Sequence, residues 1–330
     1  MTKQGVFIIS LDFELNWGVH DVFSLEKYKE NISGGRVAIP RMLELFKQFN
    51  IHATWATVGM LCFDTKKELL ANLPFIRPTY QNLSFSPYEK LHAVGLDEEQ
   101  DPYHFGLSLV RKIASTQYQE IGTHTFSHYY CLEKGQDAKQ FETDLTTSIK
   151  ACSFNGQPIR SLVFPRNQLN KSYLQICRSA GIDSFRGNEE SWIYKASRYE
   201  SQSRMKRMLR LLDCYINISG QHTYPMDTVE REPLVNLRSS RFLRPFSQPL
   251  KALEPLRLRR IKKGIEYAAR NGEVYHLWWH PHNFGKYTDE NLAFLTEILQ
   301  VVSDMREKYG FQSMNMGEAS TLIAALRYKE

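Results

Sequence analysis

Short apolar runs in this 330-residue chain repeatedly end on residues that can do chemistry, and helical patterns follow most of them. The first run, around Val6 to Ile9, is short and rich in β-formers, and it leads into Asp12 and Glu14. A second covers 51–58. A third, at 120–122, leads to His124; a fourth, at 162–164, leads to Arg166; a fifth, at 274–279, leads to His280. Helical patterns lie at 40–50, with Pro40 at the start, at 138–152, at 172–180 closed by Gly181, and at 291–309. A last short strand at 312–316 is followed by a helix ending near Arg327. Strands alternating with helices predict an α/β protein with a mainly parallel sheet and helices outside it. Polar residues recurring at strand C-termini favour a closed or nearly closed barrel over an open sheet.

Residues 74–118 and 190–265 break the alternation. The first holds Pro74, Pro78, Pro87 and Pro102 among aromatics; the second holds a basic helix and a proline-rich run. Neither has a convincing core of its own. Both are therefore expected to be insertions on one barrel, with residues 1–330 forming a single domain.

Composition serves mainly to exclude. A 42% hydrophobic and 24% charged chain is globular rather than disordered. The formal charge of +6 is concentrated in 204–263, where Arg257, Arg259, Arg260, Lys262 and Lys263 crowd together. Such a run is either a solvated helix face or a patch for an anionic glycan, a lipid headgroup or a phosphate. No nucleic-acid-binding motif accompanies it, so no nucleic-acid partner is expected. Five cysteines (Cys62, Cys131, Cys152, Cys177, Cys214), odd in number and without a CxxC, argue against a disulfide framework or a cysteine zinc site. No segment approaches the ~20 apolar residues of a transmembrane helix, and the N-terminus does not read as a signal peptide. The expectation is a cytoplasmic protein. Its oligomeric state is not legible.

The chemistry gathers at the strand ends. His124 and His128 are spaced i, i+4; on a helical turn both imidazoles would share one face and could share a metal ion. Asp12 and Glu14, at i and i+2, share a face of a strand, where two carboxylates repel unless a cation or base stabilises them. Asp12 could instead cap a helix. His280, with Pro281 behind it, reads either as a site residue or as a core histidine among tryptophans. Arg166 alone suggests a surface loop. Together the strand ends offer three metal ligands, a carboxylate base, a cation to orient it and a histidine acid, the parts of metal-assisted hydrolysis.

At this point the chain resembles the polysaccharide deacetylase family, the NodB-homology or carbohydrate esterase family 4 group. The resemblance rests on SLDFE at strand 1, GTHTFSH after the third run, FPRNQ around Arg166, the helix-and-glycine-strand stretch AGIDSF at 180–185, and LWWH before Pro281. It spans most of the chain. The acids here are separated rather than adjacent, Pro165 precedes Arg166 rather than following it, and Leu277 stands further from His280 than usual, which keeps His282 as a second candidate. Divergent peptidoglycan-deacetylase-like and allantoinase-like members look similar.

The resemblance implies a deformed (β/α) barrel of about seven parallel strands that removes acetyl groups, chiefly as N-acetyl amides, from an acetylated carbohydrate. It implies a divalent metal, zinc by preference, on Glu14, His124 and His128. Asp12 would be the general base, Arg166 its orienting cation and His280 the general acid. A backbone N–H near Gln168 would face the oxyanion, and Trp17, Trp278, Trp279 and His282 would contact substrate. The alternatives are a small-molecule cyclic amidase of the allantoinase-like type and an inactive carbohydrate-binding barrel. Whether the substrate is a polymer, lipid-linked or a nucleotide sugar stays open.

Overall fold

The computed structural model describes residues 4–153, 156–195 and 204–326. In chain order the strands are β1 (Val6–Phe13), β2 (Ala53–Thr57), β3 (Gln119–Thr123), β4 (Ser161–Leu162), β5 (Ser184–Phe185), β6 (Tyr224–Pro225), β7 (Val235–Asn236), β8 (Arg241–Phe242), β9 (Glu273–Trp279) and β10 (Gln312–Met314). The α-helices are α1 (Leu25–Gln48), α2 (Lys66–Ala71), α3 (Leu107–Ser115), α4 (Ala138–Cys152), α5 (Leu174–Ser179), α6 (Arg204–Asp213), α7 (Glu254–Asn271), α8 (Thr288–Tyr309) and α9 (Met316–Ala325). The predicted helix end near Arg327 lies outside the described residues.

β9, β1, β2, β3, β4, β5 and β7 pair in that order, all parallel. β8, four residues beyond β7, pairs parallel with β9. Between them the chain keeps both ladders: Leu237 N–H donates to Phe185 O, Ser239 N–H to Gly187 O, and Ser240 N–H to His276 O. Residues 235–243 thus form one ragged strand that hydrogen-bonds β5 on one side and β9 on the other. The sheet closes around seven positions, as the sequence resemblance implies. β6 adds an antiparallel pair to the start of β9, and β10 extends the start of β1. β1 is buried along its whole length, so its sequence reads as a continuous apolar run instead of an alternation.

Three expectations need correction. The second presumed insertion supplies the closing strand of the barrel, and part of the first is α3, the helix that packs on β3 and feeds it. The helix around Pro40 begins at Leu25 and carries Pro40 in its interior. An interior proline costs about 3 kcal/mol; α1 offsets this by burying Ile32, Ala38, Ile39, Met42, Leu43 and Phe46. The basic run is only partly solvated. Arg257 and Arg260 are buried, Arg257 bonded to Arg244 O and Glu254 and Arg260 to Gly220 O and Gln221.

Candidate active site

Parallel strands deliver their C-terminal ends to one mouth of a barrel. Here Asp12 and Glu14 come from β1, His124 from β3 and His280 from β9. Glu14 starts a short 3₁₀ turn over Leu15–Gly18. Gly18 is needed there, since a Cβ would stand 2.0 Å from the Glu14 carboxyl carbon.

His124 and His128 do converge, but not through a helix. They lie on a loop in which Thr125 and His128 adopt left-handed φ of 63° and 56°. Asp144, buried on α4, holds that loop: its carboxylate accepts the Phe126 N–H at 2.7 Å, the Ser127 N–H at 3.2 Å and the Ser127 hydroxyl. Thr125 Oγ1 accepts the Tyr129 N–H at 2.7 Å.

The imidazoles are anchored by their far nitrogens. His124 Nδ1 donates to Val163 O at 2.8 Å. His128 Nδ1 meets the Tyr130 hydroxyl at 3.1 Å, and that hydroxyl donates to Asp21. Both Nε2 atoms therefore present lone pairs, which face Glu14 Oε2 at 3.2 and 3.0 Å. Glu14 Oε2 and His124 Nε2 are buried and make no hydrogen bond. Lone pairs aimed at a carboxylate oxygen are unfavourable without a cation among them. Ligand atoms roughly 2.0–2.2 Å from a zinc-like ion stand about 3–3.5 Å apart, which is the spacing found. The three residues fit a metal, and Glu14, His124 and His128 are the one such His/Cys/Asp/Glu group among the described residues.

Beside this group Asp12 is gripped by an arginine the sequence reading missed. Arg186 donates Nη1 to Asp12 Oδ1 at 2.7 Å and Nη2 to Oδ2 at 2.8 Å, a bidentate fork. The guanidinium also donates to Asn167 Oδ1 and lies 4.1 Å over the Trp278 ring. Burial pushes the Asp12 carboxyl up, but the Arg186 charge and hydrogen bonds and the nearby histidines outweigh it and hold the group below its ordinary value. Glu14 is likewise held well below the carboxylate range, burial being outweighed by His280, His128 and His124.

Arg166 is not the cation on Asp12. Two successive left-handed residues, Arg166 and Asn167, turn the chain after β4. The Arg166 guanidinium goes to Asp21 and lies 4.2 Å over the Tyr130 ring. It therefore braces His128 through Asp21 and Tyr130. The stretch AGIDSF stops one residue short of Arg186; an arginine directly after a predicted strand was the signal.

His280, about a quarter exposed, places Nε2 3.6 Å from Asp12 and 3.7 Å from Glu14. His282 stacks beneath it, ring centroids 5.1 Å apart, and is buried, with Nε2 3.9 Å from Glu14. Burial pushes His282 down to about 3. Gly34 and Gly35 on α1 let the 281–285 turn approach so closely; a Cβ on Gly35 would lie 2.7 Å from His282 Cα.

Three expected substrate contacts are structural instead. Trp17 is buried and its Nε1 donates to His104 O. Trp279 is buried between Phe46 and Phe284. The Gln168 backbone N–H is taken by Pro165 O, and its side chain holds Leu132 and Glu133. Trp278 lines the open mouth together with Asp12, Glu14, His128 and His280.

A parallel barrel thus carries a carboxylate–histidine cluster, an arginine-held aspartate and a quarter-exposed histidine at one mouth, the kinds of groups that metal-assisted hydrolysis uses. Residues 33–185, a little under half of the chain, match the family model described as polysaccharide deacetylase. The matched span contains His124, His128 and Arg166 and stops short of Asp12, Glu14, Arg186 and His280 at either side. No curated protein matches the chain. Among solved structures, the fold is similar to that of a protein assigned as a polysaccharide deacetylase from Mycobacterium smegmatis (15% identical, 99% of this chain and 92% of that one covered, TM-score 0.62). It is also similar to one so assigned from Pseudomonas aeruginosa PAO1 (10%, 96% and 89%, 0.55) and to Puue allantoinase (9%, 96% and 89%, 0.57). At these identities the likeness concerns the fold.

Proposed function

We propose that this chain is a metal-dependent deacetylase that hydrolyses the N-acetyl amide of a carbohydrate. The observation that carries the reading is the Glu14 carboxylate set 3.0–3.2 Å from two imidazole nitrogens whose partner nitrogens are already engaged. Glu14, His124 and His128 would hold a divalent ion, zinc by the ligand chemistry, which supplies a Lewis acid for the acyl carbonyl and acidifies water. Asp12, kept ionised by Arg186, accepts a proton from the attacking water as the new C–O bond forms. His280 donates a proton to the amine nitrogen as the C–N bond breaks. Its exposure at the mouth favours it over the buried His282. Trp278 offers the apolar face for a sugar ring, and residues 1–330 act as one domain.

The test combines metal analysis with acetate release from N-acetylated glycans. The protein should carry about one zinc-like ion per chain, and the His124→Ala, His128→Ala double variant should lose both ion and turnover. Asp12→Asn should keep the ion and lose about 10²–10⁴-fold in rate. His280→Ala should lose a similar factor on the amide but far less on an activated ester, whose leaving group needs no proton. Full metal occupancy in the double variant would refute the site. Ring opening of a ureide without acetate release would make the chain an allantoinase-like amidase, and inactivity on both with glycan binding retained would make it a binding barrel.

A further inference from the structure

The mouth of the barrel is divided into two adjoining cavities. One, about 320 Å³, holds Asp12, Glu14 and His128. The other, about 420 Å³, is lined by Arg210, Arg241, Arg244, Tyr194 and Glu189. Asn167, Trp278 and His280 line both, as do Arg166 and Arg207. The second cavity is unusually cationic. Its one lining carboxylate, Glu189, is raised by burial towards its neutral form and accepts a long hydrogen bond from Trp278.

Two of the arginines have donors to spare. Arg241 is buried on the closing strand and gives Nη1 to Asp213, but its Nε and Nη2 make no hydrogen bond. The Tyr275 hydroxyl, uncharged at neutral pH, lies beside this guanidinium. Arg244 makes no side-chain ion pair among the described residues, and its buried Nε also lacks a partner. Buried guanidinium donors left unpaired are costly. A planar fork of N–H donors matches a phosphate oxygen pair.

We infer that the arginine cavity binds a phosphate ester on the substrate, so that the deacetylated sugar is a phosphorylated intermediate. This rests on the deacetylase reading. On a 2-acetamido sugar the anomeric oxygen sits on the carbon next to the one bearing the amide. A sugar against the shared Trp278–His280 wall could then direct its acetamido group to Glu14 and its anomeric phosphate to Arg241 and Arg244. The phosphate could come from a nucleoside diphosphate sugar or from a polyprenyl phosphate; α6, which supplies Arg207 and Arg210, exposes Met205, Met208 and Leu212 near the cavity.

The first arm is calorimetric titration of purified protein with inorganic phosphate. Arg244→Ala should weaken binding by about 10-fold or more, Arg244→Lys, which keeps the charge but not the fork, should lose less than Arg244→Ala, and Glu14→Gln should leave it unchanged. No binding, equal binding in wild type and Arg244→Ala, or loss in Glu14→Gln would overturn the inference; the last would put phosphate on the metal centre. The second arm compares acetate release from a free N-acetyl sugar, a nucleoside diphosphate N-acetyl sugar, and a polyprenyl-phosphate-linked N-acetyl sugar in phosphatidylcholine vesicles. One phosphorylated form should be preferred, identifying the source, and Arg244→Ala should cut that preference about 10-fold. Equal kcat/KM for all three overturns it. Silence on every substrate would sink the deacetylase reading, while the phosphate titration would still decide whether the cavity is an anion site.

Discussion

At the level of single residues, Arg166 and Arg186 show where a sequence stops being informative. Both follow short strands, and only the fold separates their destinations. A strand end is visible as a run of β-formers giving way to a polar residue. The direction of the side chain depends on φ, and at Arg166 φ is +53°, which nothing in FPRNQ announces. The acids and histidines were legible because their residue types are uncommon at strand ends and their spacing is short. The two arginines should fail differently. Arg186→Met leaves Asp12 buried without its cation. It should lower kcat by at least about 10²-fold, the scale of a lost general base, with metal content intact. Arg166→Met should loosen His128 through Asp21 and Tyr130 and weaken metal affinity about 10–100-fold, as lost supporting hydrogen bonds do. Metal titrations and saturation kinetics on both variants check this; the same phenotype in both would mean that one arginine does not act as its geometry implies.

Among the elements, the histidine loop departs from the conformation its spacing implies. The i, i+4 spacing suggested a helical turn, whereas the loop bends through left-handed Thr125 and His128 and is tied down by Asp144 from α4. The support comes from a residue 16 positions beyond His128, which local pattern cannot reveal. Removing it should be felt in both fold and site. Asp144→Ala leaves buried donors unpaired and should cost about 2–4 kcal/mol, with weaker metal binding, in thermal or denaturant unfolding. Burial, against those donors, raises the Asp144 carboxyl from 3.8 to about 6. A carboxyl raised in the folded state stabilises the protein fully below its unfolded value and loses that contribution as pH rises through the folded one. Wild type should therefore lose stability relative to Asp144→Asn as pH climbs from about 4 to 6. A pH-independent difference between the two would show that Asp144 titrates normally.

For the molecule as a whole, the parallel barrel was legible because most of its strands are apolar and separated by helices. The strand that closes it was not. The closing strand, 235–243, contains Asn236, Arg238, Ser239, Ser240 and Arg241 and follows Pro225 and Pro233, so it reads as a polar, proline-rich loop. It is nonetheless buried at Leu237, Ser239, Ser240, Arg241 and Leu243. A strand hydrogen-bonded on both sides can hold polar residues when each finds a partner. Ser240 does: its N–H donates to His276 O, its Oγ accepts the His276 N–H at 2.9 Å, and its hydroxyl donates to His222 O. If 235–243 is part of the barrel rather than an appendage, it must open with the barrel. The amides of Leu237, Ser239, Ser240 and Leu243 should then exchange as slowly as those of β9, near the free energy of global unfolding. Ser240→Ala should lower that free energy by about 1–3 kcal/mol, and the loss should appear equally in 235–243 and in β9. Hydrogen exchange resolved by residue reads both. Fast exchange confined to 235–243, or a loss in Ser240→Ala restricted to that segment, would mean that the ring opens at this strand first and that the cationic cavity beside it is a separately unfolding wall of the site.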